Sequence, residues 1–190
     1  MAENRMLTQF TIKIINTIRQ IYIQLCSFIC IPIIHGWYGD FWNYRNSILS
    51  KPTKGRNLYY TYLMKYNAFV GLNTKIKQNP ILPHGLNGIH ISDAAIIGEG
   101  CIILQQVTIG SNTLQGSKNY GAPTIGNNVF IGAGAKIIGN VHIGNNCRIG
   151  ANCVVTKDMP DNSTAVIKNI EIILHKDIRD NKYQGITPIL

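Results

Sequence analysis

The chain has 190 residues, with 18 lysine and arginine residues against 9 aspartate and glutamate residues, and a formal net charge of +9. This length predicts one domain with a small appendage. The basic balance favours an anionic partner, either nucleic acid, a membrane surface or a phosphate-rich cofactor. The five cysteines show no paired spacing, and nothing in their pattern indicates an oxidising compartment.

The first predicted element is a helix with a broad apolar face within residues 6–34, which Pro32 ends. Polar residues interrupt the segment, so it is not predicted to cross a membrane, and it lacks a signal-peptide cleavage pattern. Two interpretations stay open: the helix packs on a partner subunit or on the rest of the chain, or it lies in a membrane interface. The apolar face of the helix is defined by four residues at a spacing of seven: Leu7, Ile14, Ile21 and Phe28.

Aromatic residues dominate the next segment. Residues 36–50 contain both tryptophans, and the tyrosine-rich residues 57–68 fit a short helix or a strand. Between them lies the basic turn of residues 51–56. A basic turn beside tyrosines is compatible with stacking on nucleic-acid bases, but no recognised nucleic-acid motif accompanies it. We therefore predict no nucleic-acid partner.

A six-residue period dominates residues 97–166. A helix of 3.6 residues per turn cannot carry this period, whereas short strands joined by corners can. Three hexapeptides then form one triangular coil, and stacked coils bury a continuous aliphatic column. The periodic aliphatic residues are Ile97, Ile103, Ile109, Ile125, Ile131, Ile137, Ile143, Ile149 and Val155, and the second inward positions are Cys101, Val107, Val129, Ala135, Val141, Cys147 and Cys153.

Glycine and asparagine are expected at the corners because both tolerate positive φ angles. The corner asparagines are Asn127, Asn128, Asn140, Asn145, Asn146 and Asn152. The repeat loses its phase between Ile109 and Ile125, so residues 111–123 are predicted to leave the coil as a loop. Loops that leave a regular solenoid often carry function.

The predicted organisation has three parts. Residues 1–66 form an N-terminal helical segment, and residues 67–167 form the repeat domain, whose early coils are irregular. Residues 168–190 form a C-terminal cap or tail. The fold class is mainly β.

The repeat resembles the hexapeptide-repeat acyltransferases, and in particular their serine O-acetyltransferase group. The resembling stretches are HGLNGIHI (84–91), QQVTIG (105–110), APTIGNNVFIGAGAKIIG (122–139) and IGANCVVTKDMPDNSTAV (149–166). The resemblance implies a left-handed parallel β-helix, a homotrimer, and acetyl transfer from acetyl-CoA to a hydroxyl group without a metal. A cytoplasmic location is expected, with membrane contact through residues 6–34 as the open alternative.

The resemblance also assigns site residues. His84 stands in the His-Gly turn that supplies the general base. Ser111, Ala133 and Ala151 match positions that line the coenzyme A site, and Lys136 and Lys157 are candidate phosphate partners. Asn87 and Tyr120 are candidate acceptor-binding residues.

Three departures from the family pattern bear on the acceptor. The turn containing His84 is one residue longer than the family's turn, and Pro83 replaces the acid before the base. Gly121 and Ala122 replace the arginine and second histidine that hold serine in the family. The ring of His84 is then oriented by a backbone carbonyl, by Asn87 or by a neighbouring chain.

From these departures we predict a sugar or surface-polysaccharide hydroxyl as the acceptor. Serine acetylation and a non-catalytic β-helix scaffold are the alternatives. A zinc enzyme of the carbonic-anhydrase kind is disfavoured, because His84 and His90 are six residues apart and should lie on different faces of a coil.

Overall fold

The computed structural model describes residues 12–15, 17–18, 21, 25, 40–50 and 55–167. Over the last of these ranges the chain winds through thirteen short strands, which form three parallel sheets. Sheet A contains β1 (Phe69–Val70), β3 (His90–Ile91), β6 (Thr108–Gly110), β9 (Lys136–Ile138) and β12 (Val154–Val155). Sheet B contains β2 (Lys75–Ile76), β4 (Ile96–Ile97), β7 (Thr124–Ile125) and β10 (His142–Ile143). Sheet C contains β5 (Ile102–Ile103), β8 (Phe130–Ile131), β11 (Arg148–Ile149) and β13 (Thr164–Ala165).

The chain visits sheets A, B and C in turn and then returns to sheet A, so each circuit is one triangular coil. Partners in neighbouring coils align residue for residue, as in the pairing of Ile109 with Ile137 in sheet A. Isolated bridges complete the sheets where a coil has no full strand, for example between Ile81 and Ile102. The predicted triangular coils are therefore confirmed.

The core is the aliphatic column that the period predicted. Ile91, Ile109 and Ile137 each have 0% of their surface exposed, and they lie one above another in sheet A. Burying one such side chain contributes about 1.5–3 kcal/mol, so the stack offsets the low stability of strands only two or three residues long. Cys101, Cys147 and Cys153 occupy inward positions and are buried in this column.

The corners are held by two kinds of asparagine. Asn128, Asn146 and Asn152 have φ angles of 54°, 56° and 56°, as predicted. Asn127 and Asn145 do not have positive φ, and that part of the prediction is wrong. Their side-chain oxygens instead accept backbone N–H groups of the adjoining coil, from Glu99 and Asn127 respectively, both at 2.9 Å.

The asparagine ladder ends on a carboxylate. Asp161 Oδ1 accepts the backbone N–H of Asn145 at 2.7 Å. This bond, together with the bond from the Asn145 side chain, lowers the pKa of Asp161 below its ordinary value. Asn140 also lacks a positive φ; its backbone N–H donates to the Asn119 carbonyl at 3.0 Å.

The two helices directly before the first coil are α1 (Phe41–Ser50) and α2 (Arg56–Lys65). The tyrosine-rich segment is thus helical. Its Tyr59 is fully buried and donates its hydroxyl to the Val70 carbonyl at 2.8 Å, and burial raises the pKa of this phenol. The aromatic side chains of the two helices pack together, with the Phe41 and Tyr59 rings 5.6 Å apart.

Arg45 of α1 joins the helices to the β-helix. Its side chain is 3% exposed, and Nη2 donates to the carbonyls of Gly71, Leu72 and Thr74 at 3.2, 3.1 and 2.8 Å. Charge-assisted bonds to three carbonyls offset part of the cost of burying the guanidinium. Arg45 therefore fixes α1 on the first corner of the repeat.

The predicted N-terminal helix is only partly within the described residues. Residues 12–15, 17–18, 21 and 25 are helical and exposed, and Ile18 is 61% exposed. Most of residues 6–34, including Leu7, Phe28 and Pro32, lie outside the described residues, as do residues 168–190 of the predicted cap or tail. In the part of the chain that is described, no helix combines the length and apolar character needed to cross a bilayer.

Candidate active site along one edge of the β-helix

Four turns stack along the edge at which the chain passes from sheet C to sheet A, here called the C–A edge. They comprise residues 82–89, 104–107, 132–135 and 150–153. Backbone bonds tie each turn to the next: Gln106 N–H to Asn87 O at 2.9 Å, Gly134 N–H to Gln105 O at 2.9 Å, and Asn152 N–H to Ala133 O at 2.8 Å. Since coils lie about 4.8 Å apart, the four turns form a continuous ridge, here called the rail.

His84 lies in the first turn of this rail, and its side chain is exposed. The turn is anchored by Leu86, which is 5% exposed, and is bent at Gly85 and Gly88, with φ angles of 64° and 67°. Asn87 Nδ2 donates to the backbone carbonyl of His84 at 2.9 Å. Asn87 therefore holds the backbone of the turn and not the His84 ring.

The small residues predicted for the cofactor groove lie two and three turns further along the same edge. A Cβ atom on Gly132 would come within 2.6 Å of the Ala151 nitrogen, so the close contact of the coils requires glycine there. Ala133 is half-buried and Ala151 is exposed. The two alanines lie one coil apart, as the sequence predicted, and are together called the shelf.

Lys136 begins β9 in sheet A, and its side chain returns to the C–A edge. Its ammonium donates to the Gln106 carbonyl at 2.6 Å. Lys136 is therefore on the same edge as His84, Ala133 and Ala151.

The other predicted residues lie on the opposite side of sheet A, at the edge where the chain passes to sheet B (the A–B edge). Ser111 directly follows β6, and its hydroxyl is 2.5 Å from that of Ser92. Lys157 follows β12 and lines a cleft of about 440 Å³ together with Lys118. Within one subunit, the strands of sheet A separate these residues from His84.

The inserted loop of residues 111–123 also projects from the A–B edge. Asn112 and Gly121 exchange backbone hydrogen bonds of 2.8 and 3.0 Å at its base. Tyr120 is 57% exposed beside this closure, and Leu114 is 73% exposed at the tip. The loop is therefore a hairpin that is closed at its base by the two backbone hydrogen bonds between Asn112 and Gly121.

A larger cleft, about 550 Å³, lies on sheet C and is lined in part by Ile102, Phe130 and Arg148. Among the described residues, its lining contains neither a histidine nor a carboxylate that could act as a general base. The C–A edge instead carries the exposed imidazole of His84.

Residues 122–157 match the protein family described as "Bacterial transferase hexapeptide (six repeats)". They include Ala133, Lys136 and Ala151 of the C–A edge. Residues 122–157 therefore carry the repeat of the hexapeptide-repeat acyltransferase superfamily, as the resemblance in the sequence implied.

Within this superfamily the chain is similar to serine acetyltransferases. It is 45% identical over 92 residues to "Serine acetyltransferase" of Synechococcus elongatus, covering 48% of this chain and 36% of that one. It is 41% identical over 92 residues to "Serine acetyltransferase" of Staphylococcus aureus, covering 48% and 42%. The chain thus spans less than half the length of these curated relatives.

Solved structures agree with this hexapeptide-repeat assignment. Serine acetyltransferase isoform 3 of Entamoeba histolytica, in complex with cysteine, superposes with a TM-score of 0.57 at 29% identity, covering 83% of this chain and 50% of that one. A serine acetyltransferase in complex with CoA gives a TM-score of 0.55 at 28% identity, covering 70% and 54%. The predicted left-handed parallel β-helix is confirmed.

The three cysteines within the described residues are not placed for chemistry. Cys101, Cys147 and Cys153 are buried thiols outside any disulfide, and burial raises the pKa of Cys101. A buried, protonated thiol is a poor nucleophile. No group of three or more histidine, cysteine or acidic side chains that could hold a metal ion occurs in the described ranges.

Sequence reasoning missed two glutamines on the C–A edge. Gln106 takes the positive φ of 61°, although its residue type gave no signal for a left-handed turn. Gln105 Oε1 is buried and has no hydrogen-bond partner among the described residues. Both follow from the stacking of complete coils and are not visible in a single hexapeptide.

Proposed function

We propose that this protein transfers the acetyl group of acetyl-CoA to a hydroxyl group, with His84 as the general base. One observation carries the proposal: the His84 turn is hydrogen-bonded into the same rail as the Ala133 and Ala151 shelf. An exposed imidazole and an extended small-residue groove therefore share one edge, and this is the pairing that attack of an alcohol on a thioester requires.

In the proposed reaction, the His84 imidazole takes the proton of the acceptor hydroxyl as its oxygen attacks the thioester carbonyl. The tetrahedral oxyanion collapses, the carbon–sulfur bond breaks, and the thiol leaves with the proton held by His84. Transfer is direct, since the described cysteines are buried and no activated nucleophile lies on the C–A edge.

We further propose that the complete site lies between two subunits of a homotrimer. Ser111, Lys157 and Tyr120 lie at the A–B edge, across sheet A from His84. In a closed threefold ring, one edge of each prism faces a neighbouring prism. Groups from the A–B edge of one subunit would then complete the groove along the C–A edge of the next.

For the acceptor, the comparisons favour L-serine, which the sequence analysis placed second. The curated relatives and the solved structures are named serine acetyltransferases. They do not support the sugar or polysaccharide acceptor predicted from the sequence.

One observation keeps a sugar hydroxyl as the second candidate. Gly121 stands where the resembling family has an arginine, and its φ of 129° is strained for any other residue. A Cβ atom there would also lie 3.0 Å from Asn140 Cβ. An arginine there would strain the backbone and press against Asn140, so the loop disfavours the residue that holds serine in the family.

The test is thiol release from acetyl-CoA by the purified chain, with L-serine in one series and a panel of free sugars and oligosaccharides in another. Turnover with serine supports the first candidate, and turnover only with sugars supports the second. Absence of turnover, together with absence of coenzyme A binding by calorimetry, would make the protein a non-catalytic scaffold and overturn the proposal.

The shelf gives a separate prediction, for the variant Ala151→Tyr. Because Ala151 is exposed, a tyrosine there should not disturb the core but should obstruct the groove. We expect the KM for acetyl-CoA to rise about tenfold or more, a loss of about 1.4 kcal/mol of binding, with an unchanged thermal midpoint. Ala151→Ser, which keeps a small side chain, should retain the KM within about twofold. An unaltered KM in Ala151→Tyr would exclude this shelf from cofactor binding.

A further inference from the structure

Lys136 makes the shortest contact on the C–A edge that involves a charged group. Its ammonium lies 2.6 Å from the Gln106 carbonyl oxygen, a short charge-assisted hydrogen bond, and bonds of this class are roughly twice as strong as neutral ones. Lys136 itself pairs with Thr108 in the sheet, so its side chain reaches back along the neighbouring coil to the preceding turn. In this conformation the ammonium group of Lys136 is bound to the backbone of that turn.

The turn that receives this bond has an unfavourable conformation. Gln106 has a φ of 61°, and a left-handed backbone costs a residue other than glycine or asparagine about 1–2 kcal/mol. Corners of the same kind at Asn128, Asn146 and Asn152 use asparagine, whose short side chain tolerates this region. Gln106 lacks that advantage, and Lys136 supplies a bond to its carbonyl instead.

Gln106 in turn supports the His84 turn from below. Its N–H donates to the Asn87 carbonyl at 2.9 Å, and Asn87 Nδ2 donates to the His84 carbonyl at 2.9 Å. Gly88 packs so closely on this corner that a Cβ atom there would be 3.3 Å from Gln106 Cα. A change in the Gln106 turn would therefore displace the backbone that carries His84.

We propose that Lys136 is a positioning residue for the general base: through Gln106 and Asn87 it sets the height of His84 above the Ala133 shelf. This inference rests on the proposed function. It differs from the sequence prediction for Lys136, in which the ammonium binds a cofactor phosphate. The two roles separate in kinetics, because a phosphate partner contributes to binding, whereas a positioning residue contributes to the chemical step.

The experiment compares Lys136→Met, which keeps the apolar stem, with Lys136→Arg, which can still donate to the Gln106 carbonyl. Lys75→Met is the matched control, since Lys75 likewise begins a strand, β2, but lies on sheet B. We expect Lys136→Met to lower kcat by about tenfold to 10²-fold, because small displacements of reacting groups cost this much. The KM for acetyl-CoA should change by less than about twofold. Lys136→Arg should restore most of kcat, and Lys75→Met should leave both constants unchanged.

A second measurement, hydrogen–deuterium exchange, does not depend on enzymatic activity. Hydrogen–deuterium exchange of the peptides spanning residues 82–89 and 104–108 should be faster in Lys136→Met than in the wild type, and unchanged in Lys75→Met. A rise in KM with unchanged kcat, or unaltered exchange in these peptides, would overturn the positioning role. If the wild type transfers no acetyl group, the proposed function fails, and exchange alone then decides whether Lys136 holds the turn.

Discussion

Replacing His84 with alanine lowers kcat for acetyl transfer by about 10²–10⁴-fold, the contribution typical of a general base. The side chain is exposed, so its removal deletes no core packing, and Leu86 and the two turn glycines still shape the turn. The measurement is steady-state thiol release by wild type and variant at saturating acetyl-CoA. Circular dichroism and the thermal midpoint of both proteins report that the fold is retained.

The control for this prediction is His142→Ala. His142 is also exposed and also begins a strand, β10, but it lies on sheet B. Its removal should leave kcat within about twofold of the wild type. If His84→Ala retains full activity, His84 is not the base, whichever acceptor the enzyme uses.

Replacing Ile109 with alanine destabilises the fold by about 2–5 kcal/mol, the range for truncating a buried isoleucine. Ile109 is 0% exposed and lies between Ile91 and Ile137 in the middle of the sheet A column. The neighbouring coils are bonded to one another and cannot close the cavity that the truncation leaves. Chemical denaturation followed by circular dichroism should show a clear fall in the transition midpoint.

Ile81→Ala is the matched control, since it makes the same chemical change at a position 59% exposed on the outside of a coil. It should shift the unfolding free energy by less than about 1 kcal/mol, because surface substitutions have small effects. Equal losses in the two variants would mean that the column is not the main source of stability.

Much of the β-helix can be predicted from the sequence, because each coil is specified by residues that are close together in the chain. Each hexapeptide carries its own inward pair, and the same pair recurs from Ile97 to Val155. The loss of phase before Ile125 correctly marked the inserted loop, and the His-Gly turn at His84 was found through the family resemblance. These features depend on residues close together in the chain, so a single sequence suffices to find them.

Other features depend on contacts between coils or between distant segments. Nothing in the sequence predicted the helix Phe41–Ser50, and its Arg45 donates to the carbonyls of Gly71 and Thr74, which are 26 and 29 residues away in the chain. Asn127 and Asn145 were expected to have positive φ angles, but the side-chain oxygen of each instead accepts a backbone N–H group of a neighbouring coil. Residue type at a corner therefore does not decide which of these two roles an asparagine takes.

The sequence by itself determined the repeat, the buried column and the stacking of the small residues, because a period of six residues fixes which side chains point inward. Only the tertiary structure decided which candidates share an edge. It placed His84, Ala133, Ala151 and Lys136 on the C–A edge and Ser111 and Lys157 on the A–B edge. The physical reason is the stacking of coils: residues far apart in the chain become neighbours only when successive circuits are hydrogen-bonded in register.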